Sequence, residues 1–224
     1  MTRPAGSWPP VPPEPPQPPF PPGPPEYPRT PWQPVPRPSA PGPSTSMSVV
    51  VGAGDWLAER LLEQRVLALA GELDADTVSR TVAELALLDS SGDEPVRLRL
   101  SGVSVDVEGA LTLVDALDLV GAPVHATCLG ALSGAAVVVP AVCDRRVAGA
   151  HAVFQLTEPR APRRGLTGGV ETLAAEHSRQ LRRLQERLAE ATGRDVEKIA
   201  ADMRAGRLLS VEEAQGYGLL DAPS

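Results

Sequence analysis

Histidine is scarce in this chain: His125, His151 and His177 are the only three among 224 residues. Cysteine is scarcer, with Cys128 and Cys143 alone, both in apolar contexts and without metal-ligand spacing. That pattern argues against a disulfide framework or a zinc site and reads as two buried, reduced thiols in a reducing compartment. The longest apolar run, near Gly130 to Cys143, is shorter than the roughly 20 residues a bilayer span needs. No basic segment followed by an apolar stretch opens the chain, so no secretory leader is expected and a cytoplasmic protein is. A G-x-x-x-x-G-K-[ST] phosphate loop is also missing, so any ATP hydrolysis has to come from a partner. No metal and no cofactor are expected.

Proline is abundant but confined, with 20 of 26 prolines falling between Pro4 and Pro43. The text PPVPPEPPQPPFPPGPPEYPRTPWQPVPRP fixes φ, removes backbone donors and favours a solvated polyproline II chain. Residues 1–47 are therefore expected to be a disordered tail. Residues 48–224, rich in Ala, Leu and Val, match one ordinary domain with one core. Removing the tail's three arginines and two glutamates from totals of 21 basic and 28 acidic residues leaves 18 against 26, a net charge of −8 for the domain. That balance argues against a nucleic-acid-binding face.

Within the domain, DWLAERLLEQ reads as a short helix capped by Asp55 with an apolar stripe of Leu57, Leu61 and Leu62. A strand, Arg65 to Ala70, follows. Val78, Val82, Leu85 and Leu88 then recur with the period of a helix buried on one face, and VRLRLSG supplies the next strand. A second such helix carries Val107, Ala110, Val114 and Leu117 and stops at Gly121 and Pro123; the strand Val124 to Cys128 follows. LGALSGAAVVVPAVCD reads as a helix buried on all sides, kinked or shortened at Pro140, and RRVAGAHAVFQLTEP as two short strands. A long amphipathic helix, Gly169 to Thr192, spaces Leu173, His177, Leu181, Leu184 and Leu188 by 4, 4, 3 and 4 residues and ends at Gly193. Last come RDVEKIAADM and a helix opened by the capping box of Ser210 and Glu213. Strands alternating with helices imply an α/β sheet with parallel crossovers.

Three phrases carry a family resemblance: LLEQRVLALAGELD, CLGALSGAAVVVPA and LLSVEEAQGYGLLD. The last is the most specific, with Leu209, Ser210, Glu213, Ala214, Tyr217, Gly218, Leu219 and Asp221 at fixed positions of the pattern F-x-S-A-x-E-A-x-x-Y-G-L-(I/V)-D. From about Leu61 to Asp221 the chain resembles the ClpP family, the proteolytic subunits of ATP-dependent Clp proteases. The resemblance implies a ClpP/crotonase-like fold of stacked βαβ turns, with the helix Gly169 to Thr192 as the handle that pairs rings. It implies a seven-membered ring built with itself or with ClpP-like paralogues, and a Clp unfoldase ATPase as a further partner. Neither nucleic acid nor membrane is among the implied partners.

The family's chemistry uses a serine, a histidine, an aspartate and the backbone N–H groups of a glycine-rich turn. In an ungapped register the nucleophile position falls on Gly134, and the histidine position falls on Thr157, which cannot act as a base at neutral pH. Sliding the segment by one residue brings Ser133 into the nucleophile slot; otherwise Ser133 reads as a helix-capping serine. The oxyanion turn matches LSGVSVD, with Val103 and Ser104 in place of two glycines, where a Cβ makes the turn's special φ/ψ costly. The aspartate position matches Asp202, the one member retained. His125, His151 and His177 each lie away from the base position.

The leading expectation is a degenerate ClpP-like subunit, catalytically inactive and structural or regulatory in a ring. Two alternatives stay open: an active serine endopeptidase using Ser133, and a crotonase-like protein binding an acyl thioester. The tail's PxxP spacings and interspersed Trp8, Phe20, Tyr27 and Trp32 suit aromatic-lined grooves, or a merely solubilising extension. In a ClpP-like ring such a tail would crowd the axial entrance.

Overall fold

The computed structural model describes residues 53–159 and 170–222, all within the unit Ser48–Ser224. The tail expected over residues 1–47 lies outside the described residues. The elements run α1 (Ala53–Glu63), β1 (Val66–Leu73), α2 (Ala75–Ser90), β2 (Val96–Val105), α3 (Val107–Leu119), β3 (Val124–Leu129), β4 (Ala131–Gly134), a 3₁₀ turn (Ala135–Val137), α4 (Val138–Ala141), β5 (Arg145–Ala148), β6 (Val153–Leu156), α5 (Val170–Thr192), α6 (Val196–Ala205), β7 (Arg207–Leu209) and α7 (Val211–Tyr217).

The sheet is built on β2. Val96, Leu98 and Leu100 are buried while Arg97 and Arg99 are exposed, the period-2 alternation of a strand with one face on the core. Along its first part β2 lies between β1 and β3; at Ser104 and Val105 it pairs with β4 in place of β3. The order is β5-β3-β2-β4-β6-β7 with β1 added on β2. Every pairing is parallel except β6 with β7. Parallel neighbours require crossovers, which α2 and α3 supply.

Helix boundaries follow local chemistry. Asp74 and Asp106 cap α2 and α3 by accepting the Thr77 and Gly109 backbone N–H groups at 2.8 and 2.7 Å. The capping box at Ser210 and Glu213 is present at the head of α7. The predicted core faces are buried: Val78, Leu85 and Leu88 on α2, and Val107, Ala110, Val114 and Leu117 on α3. Leu184 and Leu188 bury the same way on α5.

Several expectations are corrected. Helix α1 starts at Ala53, so Asp55 lies inside its first turn, and Leu57 is exposed rather than in an apolar stripe. Strand β1 runs on to Leu73 through a bulge at Ala70/Glu72. The segment read as one buried helix from Leu129 begins instead as β4, because pairing with β2 and β6 satisfies its backbone; only Ala135 to Ala141 is helical, and Pro140 stands one residue before its end. Leu173 at the head of α5 is exposed. Strand β7 was not foreseen, since its pairing partner β6 lies some 50 residues earlier in the sequence.

Candidate active site

Strand β4 ends at Gly134, whose φ of 62° and ψ of −128° turn the chain from the strand into the 3₁₀ segment. This is a region that glycine enters freely and that costs other residues of order 1–3 kcal/mol. The turn opens on a cleft of about 770 Å³, lined among others by Ser104, Ser133, Gly134, Thr157, Glu158 and Gly206. Thr157 directly follows β6. A Cβ built on Gly134 would stand 3.6 Å from Thr157 Oγ1. The positions read from the sequence as nucleophile and base therefore face each other, and a glycine and a threonine occupy them. A sharp strand-to-helix turn is where α/β enzymes present a nucleophilic hydroxyl.

Ser133 lies one residue earlier, in β4, opposite Ser104 of β2 and Gln155 of β6. It lines the same cleft but caps no helix; the residue at the head of the 3₁₀ turn is Gly134. No histidine lines the cleft. His177 Nε2 donates to the Pro159 carbonyl at 3.1 Å, His125 stands in β3 between Arg97 and Arg145, and His151 is exposed between β5 and β6.

Val103 and Ser104 form no glycine-rich turn. Both belong to β2, with the Val103 side chain in the core and Ser104 opposite Glu72 and Ser133. The positive φ in this stretch, 60°, falls on Gly102. Burying Val103 keeps the chain on the sheet where a turn was expected, although the ladder with β1 shifts between Ser101 and Ser104.

Asp202 is brought to none of these residues. It sits on α6 with its side chain 8% exposed and does not line the cleft. It accepts from Tyr217 Oη and Lys198 Nζ, both at 2.8 Å, and from Arg207 Nη1 at 3.4 Å. Burial alone would raise its pKa, but the hydrogen bonds from Lys198 and Tyr217 outweigh it and hold the carboxyl below the usual range. Burial and the Asp202 carboxylate push the Tyr217 hydroxyl upward, and the Arg194 guanidinium stacks 4.1 Å above the Tyr217 ring. Sequence reasoning missed Gly206, the left-handed cap of α6. A Cβ on Gly206 would lie 3.6 Å from Thr157 Cγ2, a juxtaposition that no local motif announces.

Among the described residues the charges that line the cleft are Glu72, Asp106, Glu158 and Arg204. Glu158 and Arg204 pair at 3.7 Å, and Asp106 is engaged at the head of α3. The thiols offer no substitute nucleophile, since both cysteines are buried and free and neither lines the cleft. Burial pushes Cys128 up to about 12 and raises Cys143 as well. Among the described residues no cluster of three His, Cys, Asp or Glu could hold a metal ion, and no helix is long and apolar enough to cross a membrane.

A mainly parallel sheet branched at its central strand, with a strand-to-helix turn opening on a polar cleft and a 23-residue helix beyond it, defines an α/β domain of the ClpP type. The Clp protease family model matches residues 53–222, and the chain belongs to that family.

Proposed function

We propose that this protein is a catalytically inactive ClpP-like subunit that acts through assembly, joining its own copies or active paralogues in a ring. The observation that carries the reading is the pairing of Gly134 with Thr157 at the head of the cleft. Acyl transfer by this kind of site needs a hydroxyl nucleophile at the turn and a base within hydrogen-bond reach. Neither residue can serve, and no histidine lines the cleft to replace them.

Assembly is supported by the sheet. Parallel sheets as a rule have both faces covered, yet here Ala68, Ala70, Arg97, Arg99 and Ser101 are exposed on one face. An interface that covers this face and a handle formed by α5 are the expected contacts. A Clp unfoldase ATPase is the expected partner of the mixed ring, because the chain has no phosphate loop of its own.

The test is peptidase turnover by the purified protein, alone and mixed with an active ClpP-like paralogue from the same cell, with native mass measured in parallel. No turnover alone, together with a shared ring and altered activity on mixing, is the expected result. Turnover by the protein alone that disappears in Ser133→Ala would overturn the reading in favour of a working peptidase.

A further inference from the structure

Two glycines aim their absent side chains at one residue. A Cβ on Gly134 would lie 3.6 Å from Thr157 Oγ1, and a Cβ on Gly206 would lie 3.6 Å from Thr157 Cγ2. All three residues line the cleft, and Asp202 does not. An acid that orients a base has to reach the base's second ring nitrogen. The Asp202 carboxylate lies outside the cleft and is already held by Tyr217, Lys198 and Arg207. We propose that residue 206, and not Asp202, occupies the third position of the site, so that the row of nucleophile, base and acid reads Gly134, Thr157, Gly206. Naming those roles rests on the proposed reading of the cleft as a degenerate peptidase site. Asp202 is then a structural anchor that fixes Tyr217 at the end of α7.

The assignment is tested by a histidine at position 157, read by its NMR titration in the full chain. The charged groups that line the cleft among the described residues, Glu72, Asp106, Glu158 and Arg204, are kept in every variant. His177, engaged with Pro159, is kept as well. Adding Gly206→Asp to Thr157→His is expected to raise the imidazole midpoint by about 1 pH unit or more, as a carboxylate within hydrogen-bond reach does. Gly206→Asn, which tolerates the same left-handed backbone, is expected to leave it unmoved, and so is Asp202→Asn. A midpoint that follows residue 202 and ignores residue 206, or follows neither, overturns the assignment.

A second measurement does not depend on the histidine variants. With oxidised glutathione as oxidant, Thr157→Cys with Gly206→Cys is expected to close a disulfide and Thr157→Cys with Asp202→Cys is not, given the short Cβ separation a disulfide demands. The opposite pattern overturns the proposal. Hydrolysis by the unmodified chain through Ser133 would sink the pseudo-subunit reading, yet the pairing of residues 157 and 206 would still be decided by these two measurements.

Discussion

Serine at position 134 would bring back a hydroxyl but not a reaction. With Thr157 opposite, nothing takes its proton, so Gly134→Ser alone is expected to show no peptide turnover. It should also lower stability by about 1–3 kcal/mol, because φ of 62° with ψ of −128° is a poor conformation for any side chain. Urea unfolding together with a fluorogenic peptide assay checks both. The carboxylates give a pH signature. Asp202 and Asp221 are each held below the ordinary carboxyl range against the opposing effect of burial, Asp202 by Lys198 and Tyr217, Asp221 by the backbone and side chain of Arg146. A folded-state pKa lowered in this way contributes stability that is fully present above the unfolded value of about 4. That stability is lost as pH falls through the folded value. The urea midpoint is thus expected to drop below about pH 4, less steeply in Asp202→Asn than in the parent. At neutral pH Asp202→Ala is expected to cost about 2–3 kcal/mol, since it leaves the buried Tyr217 hydroxyl without its partner. Gly134 and Thr157 were legible as facing positions because each is anchored to a local phrase. The approach of Gly206 to Thr157 was not legible, because only folding brings the two together.

Helix α5 divides into two halves with different work. Leu184 and Leu188 are 0% and 1% exposed against α3, α4 and α6, and Arg187 reaches Asp118 of α3 at 2.6 Å. Truncating either leucine to alanine is expected to cost about 2–5 kcal/mol, read as a lower denaturant midpoint. Leu173, two turns and more toward the head of the helix, is 53% exposed. Leu173→Asp is therefore expected to leave the unfolding midpoint of the isolated subunit within about 0.5 kcal/mol while weakening ring pairing, measured as native mass. An equal loss of stability would show that the head of α5 packs on its own domain. The amphipathic helices α2, α3 and α5 were readable from periodicity because one face of each meets the sheet or its neighbours. Strand β4 was not. Its four residues, Ala131 to Gly134, hold one large apolar side chain, Leu132, and are too few for a period-2 signal; what makes them a strand is the pairing of Ser133 with Ser104 and Gln155. Strand β7 is three residues long and owes its existence to β6 in the same way.

An isolated subunit leaves a row of exposed residues across its central strands: Ala70 of β1, Ser101 of β2 and Leu129 of β3, paired in register and on one face. Arg97 and Arg99 flank the row in a domain whose net charge is −8 from 18 basic and 26 acidic residues. A parallel sheet with such a face gains by covering it, and an acidic surface supplied by another subunit complements the arginines. If assembly covers this face, a long cation on it should block assembly without disturbing the fold. Ala70→Arg places one there, on a residue whose side chain meets solvent in the lone subunit. The expected outcome is an unchanged far-ultraviolet spectrum and unfolding midpoint, with the high-mass species lost in sedimentation velocity and no effect of the variant on an active paralogue's turnover. Retention of the high-mass species would move the interface elsewhere, and a loss of the fold would mean that Ala70 is covered by the subunit's own chain.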